Sequence, residues 1–345
     1  MKRNLVSAAV FFLILAAGSV FAATLTNVEQ LGKLIYESNL LSRNQTQSCA
    51  TCHSSTTGFA DITAVSLGDN LVSTGGRNAP TAAYCGLSPM LHRDKTGEYV
   101  GGMFWDGRAT GKKLHDPLAE QAQGPPLNPV EMNMPDVQTI IDRIANESEI
   151  AELFIAVYGA NAFTDVNVAY DNLARAIASY ERSAEVTRFT SRFDTGALNA
   201  QELRGRKLFS KNCTPCHSMA RRGGDHPLFT NYKYVNAGVP VNPDLEEDPN
   251  CAAYKVTDLG LGGFLGDPAQ NGKFKIPTLR NVALTAPYSH NGYFETLKEM
   301  VSFMNNKNGL TPEVADNLST AVGNLGLTDN QVIDIVAFLD SLTDM

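Results

Sequence analysis

Positive charge, cysteine and tryptophan are all scarce in this 345-residue chain. Its 28 lysines and arginines are outnumbered by 36 acidic residues, for a formal net charge of −8, so it lacks the basic face of a nucleic-acid-binding protein. Six cysteines are too few for the disulfide scaffold of a chain this long. Hydrophobic residues make up 43% and charged residues 19%, which excludes a disordered chain and suits two globular domains. We expect no nucleic acid among its partners.

One long apolar run is present, and it lies near the N-terminus, from Leu5 to about Ala17. Two basic residues precede it, and a small residue, Ala22, ends the segment that follows. This order is typical of a secretory signal peptide, and the apolar core is short for a membrane span of about 20 residues. We therefore predict a signal peptide over residues 1–22, removed to give an exported, periplasmic protein that does not span the membrane.

Helical periodicity dominates the rest of the chain. Asp136 is placed to cap one helix, and Thr328 with Gln331 forms the capping box of another. Between the helices lie two long stretches rich in Gly, Pro and Asn, 54–103 and 218–275, which are uncommon in compact domains unless something large organises them. The fold class is therefore predicted to be mainly α, with apolar stripes at helical spacing in 28–35, 137–144, 170–180 and 332–339.

A short repeat precedes each of two cysteine motifs, which suggests that one small helical unit has been duplicated. The repeated segments are Gly32-Lys33-Leu34-Ile35-Tyr36 and Gly205-Arg206-Lys207-Leu208-Phe209. We predict an N-terminal domain over 23–195 and a C-terminal domain over 196–345. The last helix belongs to the second of these, with packing back against the N-terminal domain as an option.

Four of the six cysteines lie in two copies of Cys-x-x-Cys-His. Two residues between the cysteines let both thiols reach the vinyl groups of one haem, and the next histidine turns its imidazole onto the iron. A four-cysteine zinc site, a thioredoxin-like pair or a disulfide would not require that histidine. We predict two covalent c-type haems, held by Cys49-Ala50-Thr51-Cys52-His53 and by Cys213-Thr214-Pro215-Cys216-His217, with His53 and His217 as proximal iron ligands.

The other two cysteines and the second iron ligands are less determined. Cys85 and Cys251 are either joined by a disulfide, as an oxidising compartment permits, or are unpaired buried thiols. Met300 and Met304 share an apolar helical stripe. Either both are core residues, or one of them binds the second haem iron. A thioether ligand raises the reduction potential and would make that haem the electron-accepting one.

Five further segments, together with both haem motifs, are spread over nearly all of the mature chain: Phe104-Trp105-Asp106-Gly107-Arg108-Ala109, Glu120-Gln121-Ala122-Gln123-Gly124-Pro125, Asn128-Pro129-Val130-Glu131-Met132, Phe274-Lys275-Ile276-Pro277-Thr278-Leu279-Arg280-Asn281, and Thr285-Ala286-Pro287-Tyr288-Ser289-His290-Asn291-Gly292. These segments resemble those of the bacterial di-haem cytochrome c peroxidases. The same superfamily includes the methylamine-utilisation di-haem enzymes, which oxidise residues of a partner protein.

The resemblance implies two cytochrome c-like domains with one haem each, the N-terminal haem reacting with hydrogen peroxide and the C-terminal haem relaying electrons. It implies that Trp105 lies between the haems and that Glu131 is the distal acid/base, with Gln121 beside it. Met304 matches the axial methionine of the electron-transfer haem, where the protein-oxidising relatives carry a tyrosine. Met304 thus favours a peroxidase that takes electrons from a small cytochrome c or a cupredoxin.

The resemblance also implies an interdomain calcium ion and, weakly, a homodimer. The side chain of Asn78 and the backbone carbonyls of Thr285 and Pro287 match the calcium ligands. Two alternatives to peroxide reduction stay open at this stage. One is oxidation of a partner protein's side chains, and the other is a di-haem electron carrier without catalysis.

Two departures from the family pattern are informative. Typical peroxidases carry a histidine in the loop after the first haem motif, which caps the resting N-terminal haem, whereas this chain has no histidine from Ser54 to Leu91. The N-terminal haem is therefore either open without reductive activation or capped by His92. The insertion at Thr110–Pro117 resembles the methylamine-utilisation branch instead.

Overall fold

The computed structural model describes residues 24–221 and 224–345, so the predicted signal peptide over 1–22 lies outside the described residues. Within them the fold is mainly α, as predicted, and no helix is long and apolar enough to cross a membrane. The helices are α1 Asn27–Glu37, α2 Cys49–Cys52, α3 Pro117–Ala122, α4 Gly124–Leu127, α5 Val137–Asn146, α6 Ser148–Tyr158, α7 Val166–Arg182, α8 Ala200–Asn212, α9 Pro243–Glu247, α10 Leu261–Leu265, α11 Leu297–Asn305 and α12 Asp329–Asp340.

The described strands are four of two residues each, and they form two antiparallel pairs. β1 (His92–Arg93) pairs with β2 (Tyr99–Val100), and β3 (Tyr234–Val235) pairs with β4 (Phe274–Lys275). The rest of the two long Gly/Pro/Asn-rich stretches is irregular apart from short helical turns. Because these stretches have so little regular structure of their own, their path depends on what they pack around.

In the N-terminal half, α1 crosses α7 at close range. A Cβ atom on Gly32 would lie 1.9 Å from the carbonyl oxygen of Ala176, so only glycine permits this approach. Leu31 and Ile35 of α1 are fully buried in the same contact. The start of α1 is stabilised by a capping box between Thr26 and Glu29, which satisfies backbone N–H groups that have no partner inside the helix.

In the C-terminal half, α8 crosses α12 in the same way. A Cβ atom on Gly205 would lie 1.8 Å from the carbonyl oxygen of Asp334. Phe209 packs on Phe338 with ring centroids 5.1 Å apart. The predicted capping box at Thr328 is present. The faint sequence repeat therefore corresponds to two like helix crossings, each with a glycine at its closest point.

The last helix packs mainly on α8 and α11, and its Phe338 also contacts Phe193 of the predicted N-terminal domain, with ring centroids 6.0 Å apart. The reason is that α8 covers the apolar face of α12, which includes Ile335 and Phe338. The chain end beyond the helix also reaches the N-terminal half. There Asp344 accepts hydrogen bonds from the Tyr84 hydroxyl and, at 2.7 Å, from the backbone N–H of Thr190.

The two halves are joined by backbone hydrogen bonds and by an arginine. Arg77 of the N-terminal half donates to Asp106 (2.6 Å) and, at 2.6 and 2.7 Å, to both carboxylate oxygens of Asp258 in the C-terminal half. The backbone N–H of Lys275 donates to the carbonyl oxygen of Trp105 (2.8 Å). The loop that carries Trp105 is therefore bound both by Arg77, through Asp106, and by the backbone of Lys275.

Candidate active site

Each half of the molecule encloses one cavity with mainly apolar walls. The first cavity, about 210 Å³, is lined by Cys49, Cys52 and His53. The second cavity, about 280 Å³, is lined by the corresponding residues of the other motif, Cys213, Cys216 and His217. The two cysteine pairs thus lie in separate cavities, and the described residues contain no group of three or more His, Cys, Asp or Glu that could bind a metal ion. This excludes the four-cysteine zinc alternative for the described part of the chain.

Both histidines of the motifs are held in the tautomer that an iron ligand needs. Nδ1 of His53 lies 3.1 Å from the carbonyl oxygen of Phe59, and Nδ1 of His217 lies 2.8 Å from that of Phe229. A carbonyl oxygen can only accept, so each Nδ1 donates to it, and in the neutral imidazole this leaves the lone pair on Nε2. Burial lowers the pKa of both imidazoles, which favours the neutral form.

The cysteines are also suited to covalent haem attachment. All four motif thiols are free. The first pair spans α2, a single turn that begins at Cys49 after Ser48 as its N-cap. Two thiols one turn apart, a neutral imidazole and an apolar cavity fit one haem in each half.

Glu131 lies in the first cavity, where the structure brings it together with Gln121. The Nδ2 of Asn128 donates to Oε1 of Glu131 (2.8 Å), and the backbone N–H of Asp69 donates to its carbonyl oxygen (2.7 Å). Burial raises the pKa of Glu131, while Arg108 and the Asn128 hydrogen bond oppose that rise. The carboxyl is therefore able to hold a proton closer to neutral pH than an ordinary glutamate.

His53 is the one histidine that lines the first cavity among the described residues. His92 is exposed on β1, and its Nδ1 lies 2.8 Å from the carbonyl oxygen of Met90. The β1–β2 hairpin thus directs His92 away from the cavity. In this conformation the geometry favours an open N-terminal haem over a His92 cap.

Both candidate methionines line the second cavity with His217. Met300 and Met304 lie one turn apart on α11. His290, which is also part of the wall, is instead stacked on Phe274 with ring centroids 3.6 Å apart. Methionine is thus available to the second haem, and the choice of Met304 stays a prediction.

Trp105 lines both cavities and is the aromatic side chain that joins them. Its indole N–H donates to the carbonyl oxygen of Asn78 (2.9 Å). Asn78 and Lys275 also line both cavities. This common wall consists of residues from both halves, as the position predicted for Trp105 requires.

The three predicted calcium ligands lie on segments that touch. The backbone N–H of Asn78 donates to the carbonyl oxygen of His290 (2.8 Å), three residues after Pro287. Thr285 and Pro287 line the second cavity together with Asn78. The side-chain Nδ2 of Asn78 donates to the Thr63 carbonyl (3.2 Å). Carbonyl and amide oxygens are suitable calcium ligands, and calcium binding there stays a prediction.

The remaining two cysteines are unpaired thiols. Cys85 donates to the carbonyl oxygen of Thr81 (3.0 Å) and Cys251 to that of Gly75 (3.2 Å). The disulfide alternative is therefore not the observed one.

Sequence reasoning missed two titratable residues of the first cavity, Glu181 and Lys275. Burial raises the pKa of Glu181 and lowers that of Lys275, both to about 8. Glu181 lies four residues after Ile177 on the buried face of α7, so a charged residue within an apolar stripe was the available signal. Lys275 lies in a recognised motif, but only the fold shows that it reaches the cavity.

Residues 26–202 match the family model of di-haem cytochrome c peroxidases, and residues 203–343 match that of cytochrome c. The chain belongs to the di-haem cytochrome c peroxidase family. It is similar to methylamine utilization protein MauG of Paracoccus denitrificans, with 39% identity over 91% of this chain and 88% of the relative. It is 32% identical to the cytochrome c551 peroxidase of Pseudomonas aeruginosa, over 91% and 78% of the two chains.

Solved structures agree with this assignment. The diheme peroxidase BthA from Burkholderia thailandensis superposes with a TM-score of 0.79 at 27% identity, covering 92% of this chain and 86% of that one. The predicted family, the mainly α fold with two c-type haem domains and the oxidoreductase class are thereby confirmed. The relatives include both a MauG protein and a peroxidase. Membership of the family alone therefore does not decide which reaction this protein catalyses.

Proposed function

We propose that the protein reduces hydrogen peroxide to water with electrons from a small donor protein, a cytochrome c or a cupredoxin. One observation carries the proposal. The first cavity has a neutral histidine and a carboxyl with a raised pKa, Glu131, but no second histidine among the described residues. Such a cavity leaves room for a small substrate, whereas an electron carrier needs both iron faces ligated.

The chain's own residues supply proton transfer and orientation. When bound, the two haems supply the iron that binds peroxide and the store of electrons. His53 would hold the iron of the first haem through Nε2. Glu131 takes a proton from one peroxide oxygen and returns it to the other, which leaves as water. Asn128 orients this carboxyl through its hydrogen bond, and Gln121 lies in the same wall.

The wall common to the two cavities would carry electrons from the second to the first. His217 and Met304 are the proposed ligands of the second haem, and Trp105 is the proposed route between the two. The balance is one peroxide, two protons and two electrons giving two waters. The donor delivers its electrons one at a time, which is why a second haem that stores one of them is useful.

The test is peroxide-dependent oxidation of a reduced small cytochrome by the purified two-haem protein. Multiple turnovers per enzyme are expected, with two cytochromes oxidised for each peroxide consumed. Oxidation that stops after about one equivalent, or no oxidation, contradicts the proposal.

Oxidation of a partner protein's side chains is the second candidate, because 39% identity to MauG is higher than the 32% to the Pseudomonas peroxidase. The insertion at Thr110–Pro117 also favours it. Met304, which stands where the protein-oxidising relatives carry a tyrosine, favours the peroxidase. Sustained turnover with a small cytochrome supports the peroxidase, and peroxide consumption only with a partner protein supports the alternative.

Export and assembly belong to the same proposal. We propose that cleavage after residue 22 releases the protein into the periplasm, that Asn78, Thr285 and Pro287 bind calcium between the halves, and that the protein forms a homodimer. Mass spectrometry of the mature N-terminus, metal analysis and light scattering test these three points separately.

A further inference from the structure

Lys275 is a cation without an ion-pair partner among the described residues. Its Nζ donates to the carbonyl oxygen of Gly102 (2.7 Å) and lies 3.5 Å from Sδ of Met103. It is half-buried in the wall between the halves and lines both cavities. A buried ammonium is costly unless a carboxylate or a comparable group compensates its charge.

The carboxylate of this chain that lies close to Lys275 is already engaged. Asp106 accepts from Arg77 (2.6 Å) and from Arg108 (2.9 Å). Arg77 and Arg108 themselves line the first cavity, but both have carboxylate partners, whereas Lys275 has a carbonyl and a thioether. An anion from outside the described chain would complete the surroundings of Lys275.

The ammonium group faces the first cavity rather than the second. Met103, its thioether neighbour, and Cys85, the thiol that interacts with its charge, line the first cavity and not the second. Lys275 belongs to β4 of the C-terminal half, so a cation from one half is presented to the cavity of the other.

We propose that Lys275 binds a propionate carboxylate of the haem attached to Cys49 and Cys52. The C-terminal half would thus complete the haem site of the N-terminal half with a cation from the wall that contains Trp105. The backbone N–H of Lys275 holds the Trp105 carbonyl, so one residue positions both the haem edge and the loop beside it. This pairing rests on haem attachment to the first motif and not on peroxide as the substrate.

The experiment compares three two-haem variants with the native protein. Lys275→Gln keeps a donor for the Gly102 carbonyl but removes the charge, and Lys275→Arg keeps the charge. Lys273→Gln is the matched control, since Lys273 lines neither cavity and its Nζ bonds to Gln270 (3.1 Å). Haem content is checked first. Resonance Raman spectra of oxidised and half-reduced protein then report the propionate-bending band of each haem, and a redox titration reports how easily each is reduced.

Lys275→Gln is expected to shift the propionate band of the first haem and to make that haem about tenfold harder to reduce by a fixed donor, because loss of a nearby positive charge favours the oxidised iron. Lys273→Gln is expected to change neither quantity. An unmoved band together with an unchanged reduction equilibrium in Lys275→Gln overturns the pairing.

If Lys275→Gln does not accumulate with two haems, Lys275→Arg decides. It is expected to keep the reduction equilibrium near the native one while the band shifts, because a guanidinium bonds to the carboxylate in a different geometry. An unmoved band in Lys275→Arg overturns the pairing. None of these readouts measures peroxide turnover. A result that overturns the pairing therefore does not contradict the proposed function, and absence of turnover does not prevent the test of the pairing.

Discussion

Two glutamates line the first cavity, but their surroundings differ. Glu131 accepts a hydrogen bond from Asn128, whereas Oε2 of Glu181 is buried without a hydrogen-bond partner among the described residues. Burial raises the pKa of Glu181 to about 8, with Arg182 opposing the rise. Glu181 therefore holds its proton at neutral pH. Glu131, with polar partners that oppose the effect of burial, is better suited to exchange one.

Replacing Glu131 by Gln is expected to lower peroxide turnover by at least about 100-fold, because an amide cannot take up and return a proton. Both haems should remain attached. Steady-state oxidation of a reduced small cytochrome measures the change. Glu152→Gln is the control, since Glu152 is exposed on α6 and lines neither cavity. Turnover of the Glu131 variant at the native rate would show that this carboxyl is not the acid/base.

At the scale of elements, the two helix crossings depend on glycine. Gly205→Ala is expected to lower the free energy of unfolding of the C-terminal half by about 1–3 kcal/mol, because the new methyl group meets the Asp334 backbone and the helices must separate. Urea unfolding followed by circular dichroism measures it. Gly263→Ala is the control, because its Cβ would make an ordinary 3.4 Å contact with Leu259. Equal midpoints for the two variants would contradict this account of the crossing.

A second element-scale prediction concerns the pair between Arg280 and Asp194. Arg280 is fully buried, and its Nη1 and Nη2 donate to Asp194 at 2.5 and 2.9 Å. Burial alone would raise the pKa of Asp194, but the Arg280 hydrogen bonds outweigh it and the pKa is lowered. Because the folded-state pKa is below the unfolded one, the stabilisation is complete above about pH 4 and is lost as the pH falls through the lower, folded-state value.

Asp194→Asn is expected to lower the free energy of unfolding by about 3–5 kcal/mol at pH 7, because Arg280 is left buried without its counter-charge. Below pH 4 the free energy of unfolding should fall much less in the variant than in the native protein. Urea midpoints for both proteins across pH 2–7 measure this. Identical acid slopes would show that Asp194 does not carry the effect.

At the scale of the whole molecule, the proposed function gives the two haems different second ligands. Methionines line both cavities, but Met304 is the proposed iron ligand in the second, whereas Sδ of Met103 in the first lies 3.5 Å from Nζ of Lys275. The oxidised protein is therefore expected to give one high-spin and one low-spin haem signal in electron paramagnetic resonance. Two low-spin signals would contradict an open first haem and point to a capping ligand.

Local patterns predicted local structure well. The cap at Asp136 and the capping box at Thr328 are confirmed, because a cap depends on residues within one turn of each other. The sequence could not decide whether His92 caps the first haem, or where the last helix packs. His92 lies on an exposed hairpin, and α12 is covered by α8, and both outcomes depend on residues far away in sequence.

Haem attachment is a property of five consecutive residues, so the spacing of Cys49, Cys52 and His53 was sufficient to predict it. The wall between the cavities, by contrast, depends on residues that are far apart in sequence. It joins Trp105 to Lys275, 170 positions later, through a backbone hydrogen bond between the halves. No periodicity or motif encodes such a distance, since it follows from how the long irregular segments pack. Tertiary structure alone therefore decided that a lysine of one half faces the cavity of the other.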